Sequence, residues 1–139
     1  MLWGRQSVLA AVASSSLLLG ACSEPTGSSP TSTLASLWPE AEIVVSHWPH
    51  SQEVFLRFAV VAVSCAKGKS VEVDVSGLNA VVRPFYLTDS DCVERGAVIQ
   101  THEVTIDFEA FGSGTVVIQT AGEAQGEIVS TNIPFELTR

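Results

Sequence analysis

Alternation of apolar and polar residues over most of the chain after residue 40 predicts β-strands. Residues 70–76 place valine at every second position between polar residues, and residues 103–109 alternate in the same way. A period of two puts one set of side chains on each face of a strand, so each stretch is expected to bury one face. The strand-like segments are residues 42–46, 54–65, 70–76, 81–87, 98–108, 115–120 and 127–137.

Two of these segments depart from simple alternation. Residues 54–65 are largely apolar on both faces, but Arg57 near the start and the short length argue against a membrane span. This segment is therefore expected to be a long central strand, covered on both sides or reaching from the core to a partner surface. Pro134 interrupts the last segment. Because proline has no N–H to donate to a ladder, that strand is expected at a sheet edge.

About seven short strands in about 100 residues, with turn formers between them, predict an all-β sandwich of two sheets. The pattern resembles that of an immunoglobulin-like domain, most clearly where residues 111–114 (FGSG) lead into residues 115–120. The buried tryptophan between paired cysteines that marks antibody-type domains is absent. A small β-barrel is the alternative architecture.

The first 22 residues have the pattern of a bacterial export signal. Arg5 precedes an apolar run over residues 7–19, which is too short to span a bilayer core of about 30 Å. The run ends in Leu19-Gly20-Ala21-Cys22, which resembles the bacterial lipobox. That resemblance implies cleavage after residue 21 and a diacylglycerol attached to the thiol of Cys22. Ser23 follows, and the resemblance then favours the outer over the inner membrane in a Gram-negative host.

A tether is expected between the lipid and the folded domain. Residues 23–33 are rich in serine, threonine and proline and hold no large apolar residue, so burial cannot offset the entropy of ordering them. We assign residues 1–21 to the signal peptide, residues 22–39 to the lipidated cysteine with its tether, and residues 40–139 to the all-β domain. The tether is expected to join the domain beside its tryptophan-rich end.

The remaining cysteines form an even pair. The chain has three cysteines, and assigning Cys22 to lipid leaves Cys65 and Cys92. Exported domains meet an oxidising compartment, so a disulfide between these two is expected. Metal ligation is the alternative, but neither cysteine has a second cysteine at CxxC spacing.

Charge and motifs narrow the function classes. A formal net charge of −8 repels phosphate backbones, so nucleic acid is not an expected partner. The sequence has no nucleophile elbow and no Ser-His-Asp pattern, so neither an enzyme nor a cofactor is expected. Asp89, Asp91 and Glu94 are weak candidates for Ca²⁺ ligands, but the glycine and later glutamate of an EF-hand are missing. No metal site is therefore expected.

Two Trp-Pro pairs are the candidate partner-binding residues. Trp38-Pro39 and Trp48-Pro49 flank the first predicted strand. They are interpreted either as rigid aromatic surface for a partner or as closure of the end of the core. The sequence thus predicts a non-enzymatic, lipid-anchored envelope protein that binds another envelope protein or forms part of an assembly. A periplasmic ligand or Ca²⁺ module and an inhibitor of an extracellular hydrolase are the alternatives.

Overall fold

The computed structural model describes residues 30–139, and this part of the chain contains nine β-strands. They are β1 (Thr31–Leu34), β2 (Ser36–Leu37), β3 (Val44–Ser46), β4 (Glu53–Val63), β5 (Gly68–Ser76), β6 (Asn79–Thr88), β7 (Ala97–Asp107), β8 (Gly112–Ala121) and β9 (Ile128–Leu137). Within residues 30–139 no helix is long and apolar enough to cross a membrane. The expected signal peptide and Cys22 lie outside the described residues.

The strands form two packed sheets that do not close into a barrel. In the first sheet, β6 pairs with β5 on one edge. On its other edge β6 pairs with β1 along residues 85–88 and with β8, in parallel, along residues 79–82, and β9 pairs with β8. In the second sheet, β4 pairs with β7 on one side and with β2 and β3 on the other. The all-β sandwich predicted from the alternation is confirmed.

The core lies between the two sheets and follows the period of two. Alternate residues of β4 from Val54 to Val60 are almost completely buried, and Val82, Val116 and Ile118 come from the opposing sheet. Full burial of each such side chain contributes about 1.5–3 kcal/mol. β4 is central, as expected. Its outer face is only partly covered, because Ala59 is buried while Arg57 is exposed.

The last strand also matches its prediction. β9 pairs only with β8 among the described strands and is therefore an edge strand. Pro134 lies opposite Thr115 in that ladder. An edge position accommodates a residue that lacks an amide hydrogen.

The folded unit begins earlier than the sequence indicated. A compact unit covers Thr31–Arg139, so β1 and β2 occupy residues that were assigned to the tether. Ala35 between them is fully buried: its N–H donates to Pro84 O at 2.9 Å, and its carbonyl accepts from Ala121 N at 2.9 Å. These strands are two to four residues long and mostly serine and threonine, so tertiary hydrogen bonds rather than hydrophobic periodicity define them.

The structure pairs Cys65 with Cys92 in a disulfide, with their Cα atoms 5.4 Å apart. We call the end of the sandwich that holds this bond the disulfide pole and the opposite end the Trp48 pole. β4 runs from Glu53 at the Trp48 pole towards the disulfide pole. Thr31 lies opposite Thr88, close in sequence to the disulfide. The chain therefore enters the domain at the disulfide pole, and the expectation that it joins beside the tryptophans is wrong.

Candidate partner-binding site

A proline-containing turn presents Trp48 at the surface. The turn links β3 to β4, and its closing hydrogen bond runs from Ser51 N to Trp48 O at 3.1 Å. Pro49 occupies the second position and His50 the third, with φ of 65° at His50. Proline followed by a positive φ is the pattern of a type II turn, and proline also fixes its own φ. Trp48 is thus held at the start of a stiff turn, with 78% of its surface exposed.

Beside this turn lies a groove with a volume of about 370 Å³, which we call the Trp48 groove. Three neighbouring strands supply it: Phe55 of β4 lies opposite both Ser46 of β3 and Thr105 of β7. Because cross-strand partners share a face, these three side chains lie together on the outer face of the second sheet. His47, Trp48 and Glu53 complete the lining. The groove therefore combines aromatic surface with a few polar groups.

A pair of carboxyl groups borders the Trp48 groove. Glu53 lies directly opposite Asp107 in the β4–β7 ladder. A hydrogen bond with the Asp107 side chain, followed by the negative charge of that group, raises the pKa of Glu53. Neighbouring carboxyl groups of this kind favour an approaching donor or cation, which relieves their mutual repulsion.

Trp38 is not part of the groove. It is half-buried, and its backbone N–H donates to Ala59 O at 2.9 Å. The Trp48 turn instead follows Ser46, which pairs with Phe55. These two contact points on β4 are four residues, or about 13 Å, apart along the strand. Trp38 and Trp48 therefore do not form one joint surface at the end of the sandwich.

In the acidic loop after β6, Asp89 uses both of its carboxylate oxygens within the protein. Asp89 Oδ2 lies 3.6 Å from Lys67 Nζ, and Asp89 Oδ1 accepts a hydrogen bond from Asp91 N at 3.0 Å. The second contact is an Asx turn. Glu94 lies close enough to Tyr86 for its charge to contribute to raising the tyrosine pKa, after burial. In the described part of the chain, no group of three or more His, Cys, Asp or Glu side chains is arranged to hold a metal ion.

His102 is a residue that the sequence reasoning did not single out. It is 4% exposed and stacks on Phe58 with ring centroids 5.4 Å apart, and its Nε2 has no hydrogen-bond partner within residues 30–139. Burial, followed by the charge of Lys69, lowers the pKa of His102 to about 4. The signal was present in the sequence, because His102 shares its period-two face with Val104 and Ile106.

The polar residues that line the Trp48 groove make local hydrogen bonds, from His47 Nδ1 to Trp48 O and from Glu53 N to Ser51 Oγ. No hydrogen bond joins His47 to Ser46, Thr105 or Glu53 within residues 30–139. No protein-family model, characterised protein or solved structure matches the chain. The chemistry of the groove is therefore the basis for assigning a function.

Proposed function

We propose that the chain is an exported lipoprotein of the bacterial cell envelope, anchored through lipid on Cys22, whose sandwich binds a partner protein at the Trp48 groove. The lipobox-like residues 19–22 support the anchor. The Cys65–Cys92 disulfide is compatible with export to an oxidising compartment. The unlinked polar groups of the groove favour binding over catalysis.

The exposure of Trp48 is the observation that carries the binding proposal. A large aromatic side chain that is 78% exposed beside an aromatic-lined concavity offers apolar area for a partner to bury. Tryptophan is also enriched among residues that dominate interface energies, where truncation typically costs about 2 kcal/mol or more. The stiff turn reduces the entropy lost when such an anchor is immobilised.

The position of the groove is compatible with attachment at the N-terminus. β4 has 11 residues and spans about 35 Å between the two poles. The chain enters at the disulfide pole, while the groove lies at the Trp48 pole. The segment that leads to Cys22 therefore joins the domain away from the proposed binding surface.

Site-specific photocrosslinking in the native host tests this proposal. A photoreactive residue at His47 samples the groove, and one at Val75, an exposed apolar position on the other sheet, serves as the control. We expect a discrete adduct from position 47 that is lost when Trp48→Ala is added, with unchanged thermal stability. Identical adducts from both positions, or an adduct from position 47 that survives Trp48→Ala, would contradict binding at the groove.

The exposed Trp48 turn also supports the alternative function, inhibition of an extracellular hydrolase. A stiff, exposed turn led by a large side chain has the shape that enters an enzyme cleft. Mass spectrometry of the position 47 adduct separates the two functions, because an inhibitor would crosslink to a hydrolase and reduce its activity. An envelope component without hydrolase activity would favour the assembly role.

A further inference from the structure

One edge of β7 is unpaired along the whole strand within residues 30–139, because β7 pairs only with β4. Just beyond its two ends, the β4–β7 ladder is continued by hydrogen bonds from Phe108 N to Gln52 O at 2.9 Å and from Ser64 N to Gly96 O at 3.1 Å. On the β7 side, both bonds involve an even-numbered residue. Even-numbered residues of β7 therefore direct their backbone groups towards β4. Backbone groups alternate sides along a strand, so the odd-numbered residues direct theirs to the open edge. These are Ala97, Ile99, Thr101, Glu103, Thr105 and Asp107.

Lys69 of the other sheet contacts this open edge of β7. Its Nζ, from β5 in the other sheet, donates to the carbonyl of Thr101. Between β5 and β7 lies a cleft of about 540 Å³ lined by Lys69, Ser70, Val71, Thr101, His102 and Glu103. A lysine on a strand edge discourages unspecific pairing. The long side chain covers one carbonyl and leaves the rest of the edge open.

Two buried polar atoms on the inner face of β7 lack partners. Only 4% of His102 is exposed, and its Nε2 has no hydrogen-bond partner within the described residues. Oε1 of Gln100 is also a buried atom without a hydrogen-bond partner within the described residues. Buried polar groups are almost always satisfied. Val98 and Ile99 at the start of the strand are also 39% and 47% exposed. Apart from the contact between Lys69 and the Thr101 carbonyl, this edge thus combines unpaired backbone groups, two unpartnered side-chain atoms and exposed apolar residues within residues 30–139.

We propose that the open edge of β7 binds an extended segment of a partner protein as an added strand. Main-chain hydrogen bonds to the odd-numbered residues would supply affinity, as in other cases of strand addition. Glu103 and Asp107 lie on the outer face of β7, and the chain has a formal net charge of −8. The segment is therefore expected to carry lysine or arginine on its outward side and uncharged, hydrogen-bonding residues beside His102.

Charge disfavours a second copy of the chain as the occupant. Pairing β7 with β7 would place Glu103 and Asp107 of both copies on one face, and each copy carries a formal net charge of −8. Like charges on neighbouring strands destabilise pairing. The edge does not include Trp48 and shares only Thr105 and Asp107 with the Trp48 groove and its border, so this proposal does not rest on binding at the Trp48 groove.

Amide hydrogen exchange of the purified full chain tests the proposal with a synthetic probe. The probe is an acetylated peptide of about nine residues that alternates lysine with threonine or valine. We expect the amides of Ile99, Thr101, Glu103 and Thr105 to exchange rapidly in the free protein and about tenfold more slowly with peptide. The even-numbered amides of β7, bonded to β4, should be slow in both states. Unchanged exchange of the odd-numbered amides would overturn the proposal.

Backbone methylation of the probe separates strand addition from charge attraction. Two peptides carry N-methyl groups at alternate amides, one on each edge of the peptide strand. Because only one edge contacts β7, one peptide should lose binding and the other should keep it. Equal binding by both peptides would show that charge alone attracts the probe and would refute the added strand. This comparison needs no change in the protein.

Variants of the protein test whether the peptide binds at the β7 edge, and a mass measurement tests whether a second copy of the chain occupies that edge. Glu103→Lys should weaken peptide binding by about fivefold at low salt, whereas the control Glu123→Lys, on the loop before β9, should not. Trp48→Ala should leave peptide binding unchanged, so that failure of the groove and failure of the edge are distinguishable. Equal weakening by the two lysine substitutions would contradict recognition at β7. Doubling of the mass with protection of the odd-numbered amides, in the absence of peptide, would identify a second copy instead.

Discussion

His102 is expected to make the domain less stable as the solution is acidified from pH 8 to pH 5. The neutral imidazole packs in the core, and protonation there is opposed by burial and by the charge of Lys69, which lower its pKa to about 4. In the unfolded chain the same side chain titrates near its ordinary value of about 6.5. Between these two values the unfolded state therefore binds more protons than the folded state.

The size of this effect follows from proton linkage. A gap from 6.5 to about 4 corresponds to about 3 kcal/mol of unfolding free energy at about 1.36 kcal/mol per pH unit. The contribution is complete above pH 6.5, falls by about 2 kcal/mol on reaching pH 5, and is exhausted below pH 4.

Urea unfolding at a series of pH values measures this dependence. His102→Leu should remove the imidazole contribution and flatten the change between pH 8 and pH 5 by about 2 kcal/mol. His47→Gln, which replaces an exposed histidine just after β3, is the matched control for loss of a histidine at the surface. Parallel pH profiles for the wild type and His102→Leu would refute a buried neutral imidazole.

Three further predictions concern the anchor, the disulfide and one close backbone contact. Metabolic fatty-acid labelling should mark the wild type but not Cys22→Ser, which should accumulate as precursor; equal labelling would exclude lipidation there. Replacing Cys65 and Cys92 together by serine should lower the unfolding free energy by about 3–4 kcal/mol, because the bond closes a loop with a sequence separation of 27; an unchanged urea midpoint would contradict this. Gly114→Ala should cost about 1–3 kcal/mol, since a Cβ there overlaps a backbone carbonyl, whereas Gly96→Ala meets nothing within 4 Å and should be neutral.

Period-two alternation predicted the layers of the fold well, because a buried face imposes that pattern. Residues 70–74 and 103–107 lie in strands with the expected alternation of exposure, whereas Val75 is exposed near the end of β5 and residues 108–109 follow β7. β1 gave no such signal, because its four residues are stabilised by pairing with β6 rather than by an apolar stripe. Short edge strands of this kind are defined by the rest of the fold.

The candidate site was predictable only in part. The exposed Trp48 was named from its Trp-Pro pair, but its separation from Trp38 depends on where β2 and β3 pair along β4. Strand pairing between distant segments is not encoded in local pattern. The open edge of β7 depends on the same long-range information, because no single segment indicates which strand ends a sheet.

The pairing of β1 determines how the domain responds to a mechanical load. β1 runs antiparallel to β6 from the disulfide pole inward, and Ala35 then bonds to both β6 and β8. A pull on Thr31 along the strand, away from Ala35, acts parallel to β1 and perpendicular to its hydrogen bonds. The bonds of β1 and Ala35 are then sheared together instead of being opened one after another. A lipid anchor on Cys22, as proposed, would therefore load the sandwich in its more resistant direction.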